Sequence, residues 1–159
     1  MGKSILVGMA DLNICKSPDT ITTLGLGSCV GIALRDPVTK IGGLAHIMLP
    51  DSKEITSVTH VPKFADTGIE ELVKKVTEAG AVRSRLVAKI AGGAQMFGSA
   101  SGMFNIGERN VEAAEHVLGA YDIPVIGRDV GGSCARTLYL HTDTGIAEVK
   151  TAMRQIRTL

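Results

Sequence analysis

Two residues in "TITTLGLGSCVGIALRDPVTKIGGLAHIMLP" (residues 20–50) carry side chains able to do covalent chemistry together. Cys29 closes a glycine-rich approach, and His46 sits inside a second apolar run. A thiol at its free pKa of about 8.5 is mostly protonated at neutral pH, and an adjacent imidazolium stabilises the thiolate. The thiolate attacks a carbonyl, and the imidazole then returns a proton to a departing amine. Gly25, Gly27 and Ser28 stand just before the cysteine, where backbone N–H groups can converge on a tetrahedral oxyanion. Thr23 carries the nearest hydroxyl able to fix the imidazole tautomer. Cysteine is also among the most buried residue types. Residue type and spacing therefore leave a second reading open, in which both side chains only pack.

The elements that must position the pair follow from alternation and turn chemistry. Residues 30–35 and 41–49 are β-rich runs separated by "DPVTK", where Asp36 followed by Pro37 favours a type I turn and hence a hairpin. With Asp36 opposite Thr39, Cys29 falls directly opposite His46, a placement that brings Cβ atoms to about 4.5–5.5 Å. This register puts Val30, Ile32, Leu34, Ile41, Ile47 and Leu49 on one face as core. Cys29, Gly31, Ala33, Gly42, Leu44 and His46 share the other, whose small side chains leave room for a substrate. A slip of one residue would send Cys29 and His46 to opposite faces.

Elsewhere the period changes. Ile69, Leu72, Val73 and Val76 recur at helical spacing in a helix over 67–78, with Asp66 as N-cap and Gly80 as the stop. A second helix covers 107–122, with Val111, Ala114 and Leu118 on one face. Short strands are predicted at 4–9, 85–93, 123–132, 136–143 and 145–150, and a loop at 51–65. Many strands, two helices and little strict βαβ alternation predict an α+β fold, with residues 1–159 as a single domain.

Composition excludes several function classes. Seventeen basic against 16 acidic side chains leave a net charge of +1, with no electrostatic reason to propose nucleic acid or an acidic membrane surface. Aromatics at 3% offer no stacking platform for bases. Three unpaired cysteines (Cys15, Cys29, Cys134), no signal-peptide pattern and no apolar run near the ~20 residues of a membrane span predict a cytoplasmic protein. "GLGSCVG" spaces its glycines one residue too long for a dinucleotide fingerprint and leads into a strand, not a helix. Cys15, Cys134, His60 and His116 read as structural or surface residues, and a zinc site built from Cys15, Cys29, His46 and Cys134 lacks close cysteine pairing. Asn105, Arg109 and Gln95 are weaker candidates for lining a cleft.

"TTLGLGSCVGIALRD" followed by "GGLAHIMLP" resembles the signature of the CheD family of chemoreceptor glutamine deamidases. The likeness continues through "KIAGGAQMF", "IGERN" and Gly131, Gly132, Arg136, Leu140, Thr144 and Gly145, in the family's order. It implies that Cys29 is the nucleophile, His46 the base and Thr23 the third member of the site. It implies a toxin-deamidase-like fold, with mixed sheets packed face to face and helices outside, and no metal or organic cofactor. The implied reaction converts receptor glutamines to glutamates, with hydrolysis of receptor glutamyl methyl esters in some members. The implied partners are chemoreceptors and a CheC-type phosphatase, so an adaptor that tunes that phosphatase is the alternative reading. A papain-type protease fits less well, because its histidine follows the cysteine at a much longer interval than 17 residues. One departure stands out: the chain has Ala135 in "GGSCAR" where the family has glycine, a strained choice if that backbone needs positive φ.

Overall fold

Strands buried on both faces differ in pattern from strands that show one face to water, and this difference defines the layers. β4 (Val30–Arg35) and β5 (Ile41–Ile47) are buried almost throughout, whereas β8 (Arg136–His141) alternates buried and half-buried residues. The computed structural model describes residues 2–53, 60–95, 105–152 and 155–159. One five-stranded sheet runs β1 (Ser4–Val7), β3 (Thr20–Leu26), β8, β9 (Ala147–Thr151), β10 (Ile156–Thr158). The other runs β2 (Asp11–Lys16), β5, β4, β6 (Val87–Gly92), β7 (Val125–Val130). Each sheet mixes parallel and antiparallel pairs.

Two apolar clusters hold the layers together. Ile32, Leu34, Ile47 and Ile90 of the second sheet pack with Ile69, Leu72 and Val76 of α1 (Ala65–Glu78) and Ala114 and Leu118 of α2 (Ile106–Ala120). Its opposite face, with Cys29, Ala33, Leu44 and Ala91, meets Ile21, Leu26, Leu138 and Val149 of the first sheet. The expected α+β layering, sheet on sheet with helices outside, is what the chain forms. The small-residue face of the hairpin is therefore covered: a Cβ added at Gly31 would lie 3.0 Å from Leu138 Cδ2.

The hairpin register differs from expectation by two residues. Val30 pairs with Ile47, Gly31 with His46 and Arg35 with Gly42. The loop has four residues, Pro37 to Lys40, because the Asp36 N–H donates to the Ile41 carbonyl and Lys40 takes the left-handed conformation (φ 59°). A shift of two preserves the faces, so Cys29 and His46 still share one; a shift of one would not. Leu49 leaves the hairpin and bridges to Phe64. α1 starts two residues early with Phe64 as N-cap, and Asp66 instead accepts hydrogen bonds from the Ser52 N–H (3.1 Å) and Oγ (2.6 Å). Gly80 does end the helix, at φ 122°.

Asp36 fixes this hairpin. Its fully buried carboxylate accepts from Arg85 Nη2 at 2.9 Å, the Val38 N–H at 2.8 Å and the Val82 N–H at 2.8 Å. The Arg85 guanidinium, aided by these N–H groups, holds the carboxyl well below the usual carboxylate range. Asp36→Ala is expected to lower stability by about 1–3 kcal/mol, since the buried carboxylate's hydrogen bonds to Arg85, Val38 and Val82 are lost at once while those donors lie near the surface and can turn to water. Chemical denaturation of both proteins checks it. Because the folded pKa lies below the unfolded one, the contribution is complete above about pH 4 and fades as pH falls further.

Candidate active site

The site forms where the chain passes from one sheet to the other. In β3 the pairing with β8 steps from Thr23↔Leu138 to Leu26↔Arg136, one extra residue on β3, with Gly25 at φ 68°. Such a bulge bends the strand, and residues 27–29 then carry the chain across into β4. Thr23 thus belongs to the first sheet, His46 to the second, and Cys29 to the crossing between them. Cys29 lies one residue before β4, on the face that carries His46 and diagonal to it. Thr23 and His46 are fully buried, and Cys29 is 7% exposed.

One hydrogen-bond chain settles the imidazole tautomer. Thr23 Oγ1 lies 2.8 Å from the Val7 carbonyl and 2.7 Å from His46 Nδ1. A hydroxyl has one proton, and a carbonyl only accepts. Thr23 therefore donates to Val7, and Nδ1–H donates to Thr23. Nε2 is left as a bare lone pair, buried and without a partner among the described residues. Thr23→Val should lower turnover by roughly 10–100-fold with little change in KM, because it frees the tautomer, while Thr23→Ser should retain most activity. Steady-state kinetics of both variants tests this.

Burial drives both Cys29 and His46 toward their neutral forms. It pushes the Cys29 thiol up, with a smaller opposing effect from the cysteine's own backbone amide. It lowers the His46 imidazole from 6.5 to about 4. Thr23 is uncharged and so does not favour the imidazolium as a carboxylate would. The resting pair is thus a thiol and a neutral imidazole, not the thiolate–imidazolium pair expected from the residue types. A nucleophilic role for Cys29 would require proton transfer to accompany its attack.

The loop around Cys29 is held from behind. The carbonyls of Gly27, Ser28 and Cys29 accept from the Ala94 N–H (2.8 Å), Asn110 Nδ2 (2.9 Å) and the Gly93 N–H (2.8 Å) respectively. Of the expected oxyanion donors, the Gly27 N–H is already directed to the Gly25 carbonyl at 3.0 Å. The Ser28 N–H has no partner among the described residues, and it is joined by that of Cys29, which lies beside its own thiol. Gly92, at φ 112°, has no room for a side chain: an added Cβ would lie 2.2 Å from the Cys29 carbonyl oxygen. Gly92→Ala is expected to destabilise the fold by about 2–4 kcal/mol and to displace the cysteine, measurable as a lowered Tm with lost turnover.

Other sequence candidates lie elsewhere. Cys15 is buried between the sheets, its thiol pushed up to about 11, mainly by burial. His141 contacts Thr20 and Glu148, and His60 and His116 are exposed. Among the described residues, no three His, Cys, Asp or Glu side chains cluster closely enough to hold a metal ion. Asn105 occupies the N-cap of α2 at φ 55° without a side-chain cap bond. Ala135 causes no strain, because the left-handed positions of its loop are Gly131 (φ 82°) and Gly132 (φ 70°). Asn110 was missed. Its signal was an amide on the apolar stripe of a helix, four and eight residues before Ala114 and Leu118.

Residues 48–151 match the family model described as CheD chemotactic sensory transduction. A protein of Lachnoclostridium phytofermentans is 52% identical over 153 residues, covering 95% of each chain. The chain belongs to the CheD family. Further CheD relatives come from Clostridium novyi, 48% identical over 98% of this chain and 97% of its own, and Caldanaerobacter subterraneus, 50% identical over 94% and 93%. All three carry the name probable chemoreceptor glutamine deamidase CheD. The family-model match begins just after His46, but relatives aligned over 94–98% of the chain necessarily span residues 23–46 as well. No helix among the described residues is long and apolar enough to cross a membrane.

Proposed function

We propose that this chain is a chemoreceptor glutamine deamidase, acting as one domain with Cys29 as nucleophile, His46 as base and Thr23 as orienter. The observation that carries the reading is the Val7–Thr23–His46 chain, which leaves the Nε2 lone pair on the face shared with Cys29. Nε2 accepts the thiol proton as sulfur bonds to the glutamine amide carbon. The oxygen becomes an oxyanion facing the Ser28 and Cys29 N–H groups. Nε2–H then protonates the nitrogen, the C–N bond breaks, ammonia leaves and a glutamyl thioester remains. Nε2 next takes a proton from water, the hydroxide attacks the thioester, and the proton returns to sulfur as glutamate departs. A glutamyl methyl ester can follow the same course with methanol as the leaving group. The names of the relatives support the substrate class, and action on cytoplasmic segments of receptors would have the enzyme work in the cytoplasm. The family resemblance adds a CheC-type phosphatase as partner.

Ammonia release from a receptor cytoplasmic fragment, with peptide mass spectrometry of the product, tests the reading. Glutamine-to-glutamate conversion at discrete positions is expected. Folded protein that converts none would overturn deamidation and favour the phosphatase adaptor, a role that Cys29→Ala would leave intact.

A further inference from the structure

The three carbonyls behind the nucleophile, those of Gly27, Ser28 and Cys29, are all tied inward, two by backbone N–H groups and the middle one by a side chain. That side chain is Asn110, fully buried in α2. Its Nδ2 lies 2.9 Å from the Ser28 carbonyl and 2.9 Å from the Met48 carbonyl. Both partners only accept, so the NH₂ end must face them and each proton is used. Oδ1 is buried with no partner among the described residues. A buried acceptor left unpaired costs about 1–3 kcal/mol, set against the two carbonyls that the NH₂ group satisfies.

The Ser28 carbonyl and the Cys29 N–H belong to one trans peptide plane and point in opposite directions. Holding the carbonyl back turns the N–H toward the thiol, and a bond to the carbonyl also polarises the amide, making its N–H a stronger donor. The second Asn110 proton binds the chain two residues beyond His46, so one amide group fixes the nucleophile's peptide relative to the strand carrying the base. We infer that Asn110 is a positioning residue for the oxyanion, aiming the Cys29 N–H at the oxygen of the tetrahedral intermediate. This inference rests on the deamidase reading above.

The test compares Asn110→Leu, close in size but unable to donate, and Asn110→Ala with wild type. Turnover on a receptor fragment is measured beside alkylation of Cys29 by iodoacetamide, a displacement at saturated carbon that builds no oxyanion. Losing one oxyanion donor outright lowers turnover by ~10²–10³-fold; misaiming one is expected to lower kcat by about 10–100-fold. KM and the alkylation rate should stay within about threefold. Unchanged kcat in whichever variant retains its fold would overturn the inference, as would alkylation slowed in proportion to kcat, the mark of a loosened nucleophile. Wild type lacking conversion in the same assay would overturn the deamidase reading itself, so the two failures are distinguishable.

Discussion

Cys29→Ala is expected to abolish the conversion of receptor glutamine to glutamate, lowering kcat by on the order of 10⁴-fold or more, as removal of a covalent nucleophile does. The fold should survive. Cys29 sits at the edge of the inter-sheet cluster, and exchanging a thiol for a methyl leaves a small void worth about 1 kcal/mol. No neighbour can substitute. Thr23 spends its hydroxyl proton on Val7, and Cys15, on the outer strand β2, carries a thiol pushed up to about 11. Cys29→Ser should be nearly as inactive, because a neutral imidazole with a depressed pKa is a weak base for an alcohol. Circular dichroism beside the activity assay separates this outcome from unfolding.

His46 gives the second large effect, visible in two pH profiles. With the imidazole held at about 4, the base should remain available at pH 5, where an ordinary histidine is mostly charged. Activity is therefore expected to persist through pH 5–6 and to fall toward pH 4; an acidic limb near 6.5 would contradict the buried, neutral assignment. Stability follows the same group. Between pH 6.5 and 4 the unfolded chain binds a proton that the folded chain does not, so unfolding becomes easier as pH falls. The full span of the shift corresponds to at most about 3 kcal/mol, complete above pH 6.5 and lost on the way down to 4. His46→Gln should remove turnover by roughly 10³-fold or more and also flatten this slope. Asp36 titrates lower, so its acid sensitivity is separable from that of His46.

Much of this arrangement was legible from period alone. The helices followed from the spacing of Ile69, Leu72, Val73 and Val76 and of Val111, Ala114 and Leu118, and alternation placed Cys29 and His46 on one face. The register itself was not legible, because Lys40, without the glycine that usually signals it, adopts positive φ and lengthens the loop. β2 (DLNICK) and β3 (TITTLGL) are harder to read, since β2 sends Leu12 and Ile14 to the helix-side core and only Cys15 between the sheets, and β3 buries the polar Thr22 and Thr23 beside Ile21. β10 is fully exposed and carries no burial signal. The covering of the small-residue face by a second sheet is a tertiary fact, and it reverses the protonation expected from residue types: burial favours the neutral pair. Asn110 shows the same limit. Its position on an apolar stripe was visible, but its partners Ser28 and Met48 are distant in sequence and meet it only through packing.

The most direct test of Cys29 as nucleophile is interception of the thioester. A receptor fragment is incubated with wild type or Cys29→Ala in buffer containing hydroxylamine, and its peptides are read by mass spectrometry. The expected result is a glutamyl hydroxamate at the same positions that otherwise become glutamate, formed by wild type and absent with Cys29→Ala. Glutamate without any hydroxamate would mean that water attacks the amide directly, and hydroxamate from both proteins would exclude Cys29; either result contradicts covalent catalysis at this residue.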